Sequence, residues 1–228
     1  MPESLEDLDL RYPYNREPIA ELGQMISALP SGFRDLTLNY RLSVPVITLL
    51  HRVVTKQACI NQVISVKRGR EVNAANLQEA EYCVRLLACD DLTVVERVCC
   101  IGILIAVVSC TRSERFSPLF VQQVRHHSLE LLSWQSKFVD TDLAGCFLWV
   151  SLDLAGTMFP PRTTHINTNP RNDSRYVLLM ETAERFHHLQ WNDVVTVIQR
   201  FLWTAPRLDS CRNAWEFAQN ELEKREDR

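Results

Sequence analysis

Several groups of side chains in this 228-residue chain have types and spacings that could do chemistry. Asp90 and Asp91, followed by Glu96, gather three carboxylates; Asn192, Asp193 and Thr196 gather three more oxygen ligands further along the chain. Hard oxygen donors of this kind hold magnesium against a diphosphate. Glu184-Arg185-Phe186-His187 matches ExxH, one half of the ligand set of a dinuclear metal centre in a helical bundle. Such a centre needs a second ExxH and a Glu from each of two other helices. The chain has the one copy, and a polar helix face near a tryptophan is the plainer account of it.

The acidic clusters, in this order, resemble the magnesium-binding carboxylates of helical terpene cyclases. Arg200, however, stands where the last ligand of the second cluster has to be a carboxylate. Helix caps explain both clusters at lower cost. A small magnesium-dependent helical enzyme therefore remains the alternative reading. It requires Asp90 and Asp91 to meet Asn192 and Thr196 across one cavity.

The histidines are His51, His126, His127, His165, His187 and His188. His127 falls on an apolar stripe, where a lone imidazole is expected to be a hydrogen-bonded residue at the edge of the core. Asp153 lies inside an apolar helix, and a charge there requires a partner, an arginine by expectation. The eight cysteines, Cys59, Cys83, Cys89, Cys99, Cys100, Cys110, Cys146 and Cys211, show neither a CxxC pair nor a Cys/His zinc spacing. Nearly all sit among aliphatic residues, as reduced thiols acting as small buried hydrophobes do. Cys211, beside Arg212, is better placed for a reactive thiolate than Cys99 or Cys100, yet its stripe position argues for packing.

Phosphate-cradling GxGxxG and GxxxxGK[ST] loops are absent, and so are GxSxG and HExxH. The balance of 25 basic against 28 acidic residues, a net charge of -3, does not suit a polyanion binder. Lys67-Arg68-Gly69-Arg70 reads as a solvated loop. Met1-Pro2-Glu3-Ser4 opens without a secretory pattern, so a cytosolic or nuclear setting is expected. Val98 to Cys110 is apolar but falls short of the ~20 residues that span a bilayer.

These groups have to be positioned by helices. Only 6 Gly occur in the chain, too few for the turns of a sandwich or barrel, and the 46% of hydrophobic residues recur at helical spacing. Residues 1–16 read as a loose arm. Helices are expected over Glu17–Ala28, briefly at Phe33–Leu38, from Ser43 as N-cap to about Val66, from Asn76 to Asp90, and from Thr93 to Cys110. Thr93 and Glu96 have the spacing of a capping box. Further helices follow Ser117-Pro118 (stripe Phe120, Val124, His127, Leu131, Trp134, Phe138) and Asp140 or Thr141 (stripe Leu143, Phe147, Val150, Leu154, Met158). Three more are expected over Ser174–His188, from Trp191 or Asn192, and from Pro206, where Leu208, Cys211, Trp215 and Ala218 face inward. The pattern predicts an all-α fold: a single irregular helical domain of about eight helices over 17–222, with the apolar Val98–Cys110 helix buried at its centre. Residues 67–76 and 160–174 are the expected linkers and mobile rims, and 223–228 a charged tail.

Ordered segments carry a family resemblance. Leu29-Pro30-Ser31-Gly32-Phe33-Arg34-Asp35-Leu36 with Arg41-Leu42-Ser43, then Glu96 to Leu104, Ser117-Pro118-Leu119-Phe120, Leu148-Trp149, and finally Trp191-Asn192-Asp193-Val194 through Arg200-Phe201-Leu202-Trp203 to Trp215, are similar to the helical regulatory domain that follows the zinc cluster in fungal-specific transcription factors. The likeness covers roughly 28–221. It implies a non-enzymatic domain that regulates transcription in the nucleus by binding a protein partner or a small effector. The six closely spaced cysteines that bind two zinc ions in such factors are missing from this chain, so no direct DNA reading by that route is expected. A fragment, a truncated paralogue and a stand-alone regulatory half all fit. No catalytic, cofactor-binding or metal-binding residue is assigned, and no membrane contact is expected. Exposed aromatics such as Trp191 and Trp203 are the candidate anchors for a partner, although core packing is the commoner fate of tryptophan at helical spacing. A purely structural oligomerisation domain is a further alternative.

Overall fold

The structure, a computed structural model, describes residues 19–62, 69–109, 126–127, 129–134, 141–158 and 173–226. Helices account for nearly all of them, and no strand occurs among the described residues. The all-α class is therefore as the spacing predicts. Packing groups the chain into two compact units, residues 1–113 and 114–228.

In the first unit, α1 (Ile19–Ser27) and α2 (Ser31–Tyr40) lead into α3 (Val44–Gln62), α4 (Gly69–Leu87) and α5 (Val94–Ser109). Every residue from Val98 to Val107 is buried, so α5 is the apolar central helix that its composition predicts. It packs on α3 and α4, while α1 packs on α2 and α3. Phe33 and Leu36 plug the core from α2, and Leu38 points to solvent.

Three expectations are corrected here. Helix α2 is a full ten residues. Helix α4 begins at Gly69, so residues 69–76 are helix where a linker was expected. Their Arg, Glu and Ala are good helix formers, and Gly69 stands at the first position, where its cost is small. Ser43 precedes α3, but its buried hydroxyl has no hydrogen-bond partner among the described residues, so it supplies no side-chain cap. Its backbone N–H instead donates to Glu96 Oε1 at 2.6 Å. The same carboxylate accepts from the Thr93 N–H and hydroxyl through Oε2, both at 2.9 Å, which completes the expected capping box and ties the start of α3 to the start of α5.

In the second unit, residues 129–134 are helical, followed by α6 (Thr141–Gly156), α7 (Ser174–Arg185), α8 (Trp191–Ile198) and α9 (Ala205–Glu226). Helix α6 is buried on all sides from Gly145 to Gly156 and packs on α7, α8 and α9. Gly156 lets α6 and α9 approach closely: a Cβ there would lie 3.3 Å from Ser210 Cβ and 3.4 Å from the Cys211 backbone nitrogen. Helix α7 stops at Arg185, short of the expected His188, with residues 186–188 in a turn. The final helix continues to Glu226, through most of the expected tail, supported by Arg212–Glu216 and Lys224–Glu221 pairs on its surface. The expected arm 1–16, the loop over 160–172 and the start at Ser117-Pro118 lie outside the described residues.

Among the described residues no helix is long and apolar enough to cross a membrane.

Candidate functional site

The second unit builds a rigid turn around one tryptophan. Trp149 stands near the middle of α6 and is buried. Its indole N–H needs an acceptor there, and it donates to the Leu202 carbonyl at 2.8 Å. Its ring stacks on Phe201, with centroids 5.3 Å apart and planes 12° apart. Phe201 and Leu202 lie beyond the end of α8, and both are buried. The next residue, Trp203, is 40% exposed. A large aromatic is thus held out to solvent by a turn whose two preceding residues are anchored in the core.

The same unit carries a buried charge pair. Asp153, also on α6, is matched by Arg207 on α9, as its place in an apolar helix requires. Arg207 Nε donates to Oδ1 at 2.8 Å, and Nη2 faces Oδ2, a two-pronged arrangement. Ser151, two residues before Asp153, is fully buried, and its hydroxyl has no partner among the described residues.

The first unit has a second polar seam, between α3 and α4. Glu79 is fully buried and receives Arg52 Nη2 at 2.9 Å and the Lys56 ammonium, both on the same oxygen. The other oxygen, Oε2, has no hydrogen-bond partner among the described residues. One turn along α4, the Arg52 guanidinium carbon lies 5.4 Å from the Tyr82 ring centroid. Burial drives the Tyr82 phenol well above its ordinary range, against the pull of Arg52.

Most of the residues with chemical promise in the sequence serve local structure. Asp90 and Asp91 are exposed in the turn after α4. Glu96 is buried and engaged as described above. Asp193 Oδ2 accepts from the Gln190 N–H at 3.1 Å at the start of α8, and the Thr196 hydroxyl donates to the Asn192 carbonyl at 2.9 Å. His187 Nδ1 lies 2.8 Å from the Glu184 backbone carbonyl, so the ExxH segment closes a helix end. His127 is partly buried, and its Nδ1 meets Glu130 Oε2 at 2.8 Å. Trp191 is half-buried, and Trp203 is the more exposed of the two candidate anchors.

Three of the core cysteines are poor nucleophiles. Burial raises Cys83 and Cys100 far above an ordinary thiol and pushes Cys211 up to about 12, with the nearby Arg207 charge opposing it.

Spacing singled out neither Glu79 nor Arg207. The buried face of α4 runs through Glu79, Ala80, Cys83 and Leu86, whereas the spacing favours a stripe through Ala80, Val84 and Leu87, of which Val84 is exposed, so the spacing put Glu79 off the core face.

No family model, no curated protein and no solved structure matches the chain.

Proposed function

We propose that this chain is a non-enzymatic regulatory and interaction domain that acts in transcriptional control in the nucleus and engages a protein partner through Trp203. The observation that carries the reading is the exposure of Trp203 on a turn pinned by the Trp149–Leu202 hydrogen bond. Tryptophan is among the residues enriched in binding hot spots, and a backbone already held in place loses little entropy on binding.

Two further features support it. The segments similar to fungal transcription factor regulatory domains include both halves of this turn, Leu148-Trp149 and Phe201-Leu202-Trp203. The Asp153–Arg207 pair ties α6, which carries Trp149, to α9, which follows Trp203, and so braces the elements on both sides of the turn.

The test is functional. The chain is tethered to an unrelated DNA-binding domain upstream of a reporter gene. Regulated reporter output, up or down, is expected. Output equal to that of the DNA-binding domain alone refutes the reading.

A further inference from the structure

Outside the turn and the two buried charge clusters, one group of side chains has the composition of a metal site. Among the described residues, His126, His127 and Glu130 are the one set of three ligand-bearing groups whose donor atoms all lie within 4.8 Å of one another. The spacing explains the convergence. On a helix, residue 130 lies one turn on from residues 126 and 127, at an angle between them. The Glu130 carboxylate therefore reaches both rings: Oε2 is 2.8 Å from His127 Nδ1 and Oε1 is 3.9 Å from His126 Nε2.

We infer that His126, His127 and Glu130 bind one divalent transition-metal ion of the zinc type, with solvent in the remaining position. Two imidazoles and a carboxylate are the donor set that suits zinc, cobalt, nickel or copper rather than magnesium or calcium. Bonds of about 2.1 Å bring tetrahedral ligands to about 3.4 Å from one another. The two contacts to Glu130, 2.8 Å through Oε2 and 3.9 Å through Oε1, lie on either side of that value, and one donor atom from each residue falls within 4.8 Å of the others, so an ion would draw the three side chains inward. The side chains of His127 and Glu130 are 12% and 26% exposed and that of His126 is 70% exposed, which leaves the group open to solvent.

A second segment of the chain supplies an internal comparison. Glu184, His187 and His188 have the same residue types in reversed order. There, α7 ends at Arg185 and His187 Nδ1 lies against the Glu184 backbone carbonyl, so these donors do not converge as a set of three. Composition is thus shared, and geometry separates the two. The inference does not depend on the regulatory reading of the chain.

The full chain, reduced and free of chelator, is titrated with cobalt(II) and with zinc(II). Metal-dependent absorption and the histidine ring proton resonances are read together. One equivalent is expected to bind, with a d–d absorption band of nitrogen and oxygen ligation and selective broadening of the His126 and His127 resonances. His127→Ala and Glu130→Gln are each expected to weaken binding at least about tenfold. His126→Ala, at an exposed position where folding is not at risk, is expected to do the same, and His187→Ala to leave binding unchanged. Absence of saturable binding overturns the inference. So does a sulfur-to-metal charge-transfer band, or binding that survives the His126, His127 and Glu130 substitutions.

Discussion

The Trp149 indole N–H donates to the Leu202 carbonyl at 2.8 Å, a contact between residues 53 positions apart that fixes the turn between α8 and α9. Replacing Trp149 with Phe retains a ring for stacking on Phe201 and leaves the buried carbonyl without its donor. An unmatched buried polar group costs about 1–3 kcal/mol. A lowered urea midpoint with an unchanged helical circular dichroism spectrum is the expected result.

Asp153 and Arg207 are expected to behave asymmetrically. Breaking the pair from one side, by Asp153→Asn or Arg207→Met, strands a buried charge and is expected to destabilise the fold by about 3–5 kcal/mol. The double variant Asp153→Asn with Arg207→Met removes both charges and is expected to recover most of that loss. A denaturant double-mutant cycle reads the difference directly.

Two glycines are expected to respond in opposite directions to alanine. Gly23 lies inside α1 with nothing within 4 Å of an added Cβ, so Gly23→Ala gains about 1 kcal/mol of helix propensity. Gly156 faces the backbone of α9 at 3.4 Å, which cannot move aside as a side chain can. Gly156→Ala is expected to cost about 1–3 kcal/mol through overpacking. Thermal midpoints of the two variants check the contrast.

The buried thiols make stability fall in alkali. Burial raises Cys211 from an ordinary 9.0 to about 12 in the folded chain, the Arg207 charge offsetting part of this. The folded state therefore holds this proton more tightly than the unfolded state. Below pH 9 both states are protonated and the contribution is complete; as pH rises from 9 toward 12 it is lost. Cys83, Cys100 and the Tyr82 phenol act in the same direction. Urea midpoints under reducing conditions are expected to drop across this window, and Cys211→Ala to flatten the slope while lowering the starting stability.

Much of the fold was legible because burial and helical spacing coincide in this chain. Val98 to Val107 is buried without interruption, and Cys211, Trp215 and Ala218 face inward as their offsets require. Thr93 and Glu96 close the capping box that their spacing announces. Helix ends were harder to read. Residues 69–76 look like a linker by charge and Asn content, yet local propensity and tertiary packing make them helix. Lys224 and Arg225 look like tail but extend α9.

The site was legible only in part. Asp153 announces its need for a cation, while nothing in the spacing says that the cation is Arg207 on another helix. Pairings of this kind depend on how helices are arranged in space, which periodicity along one helix does not encode. Trp203 is similar: its spacing fits an inward stripe as well as an outward one, and only the anchoring of Leu202 decides between them. Helical spacing puts His126, His127 and Glu130 on one face, and their side-chain rotamers then bring the donor atoms within 4.8 Å of one another.

The account stands most directly on Trp203. In the tethered reporter assay, Trp203→Ala is expected to reduce the regulated output at least about tenfold, the scale of one hot-spot side chain, with the helical circular dichroism spectrum and a cooperative urea transition retained. Leu38→Ala, at another exposed apolar position in the other unit, serves as the control and is expected to leave the output intact. Full output from a folded Trp203→Ala chain would contradict the claim that this side chain is the partner anchor.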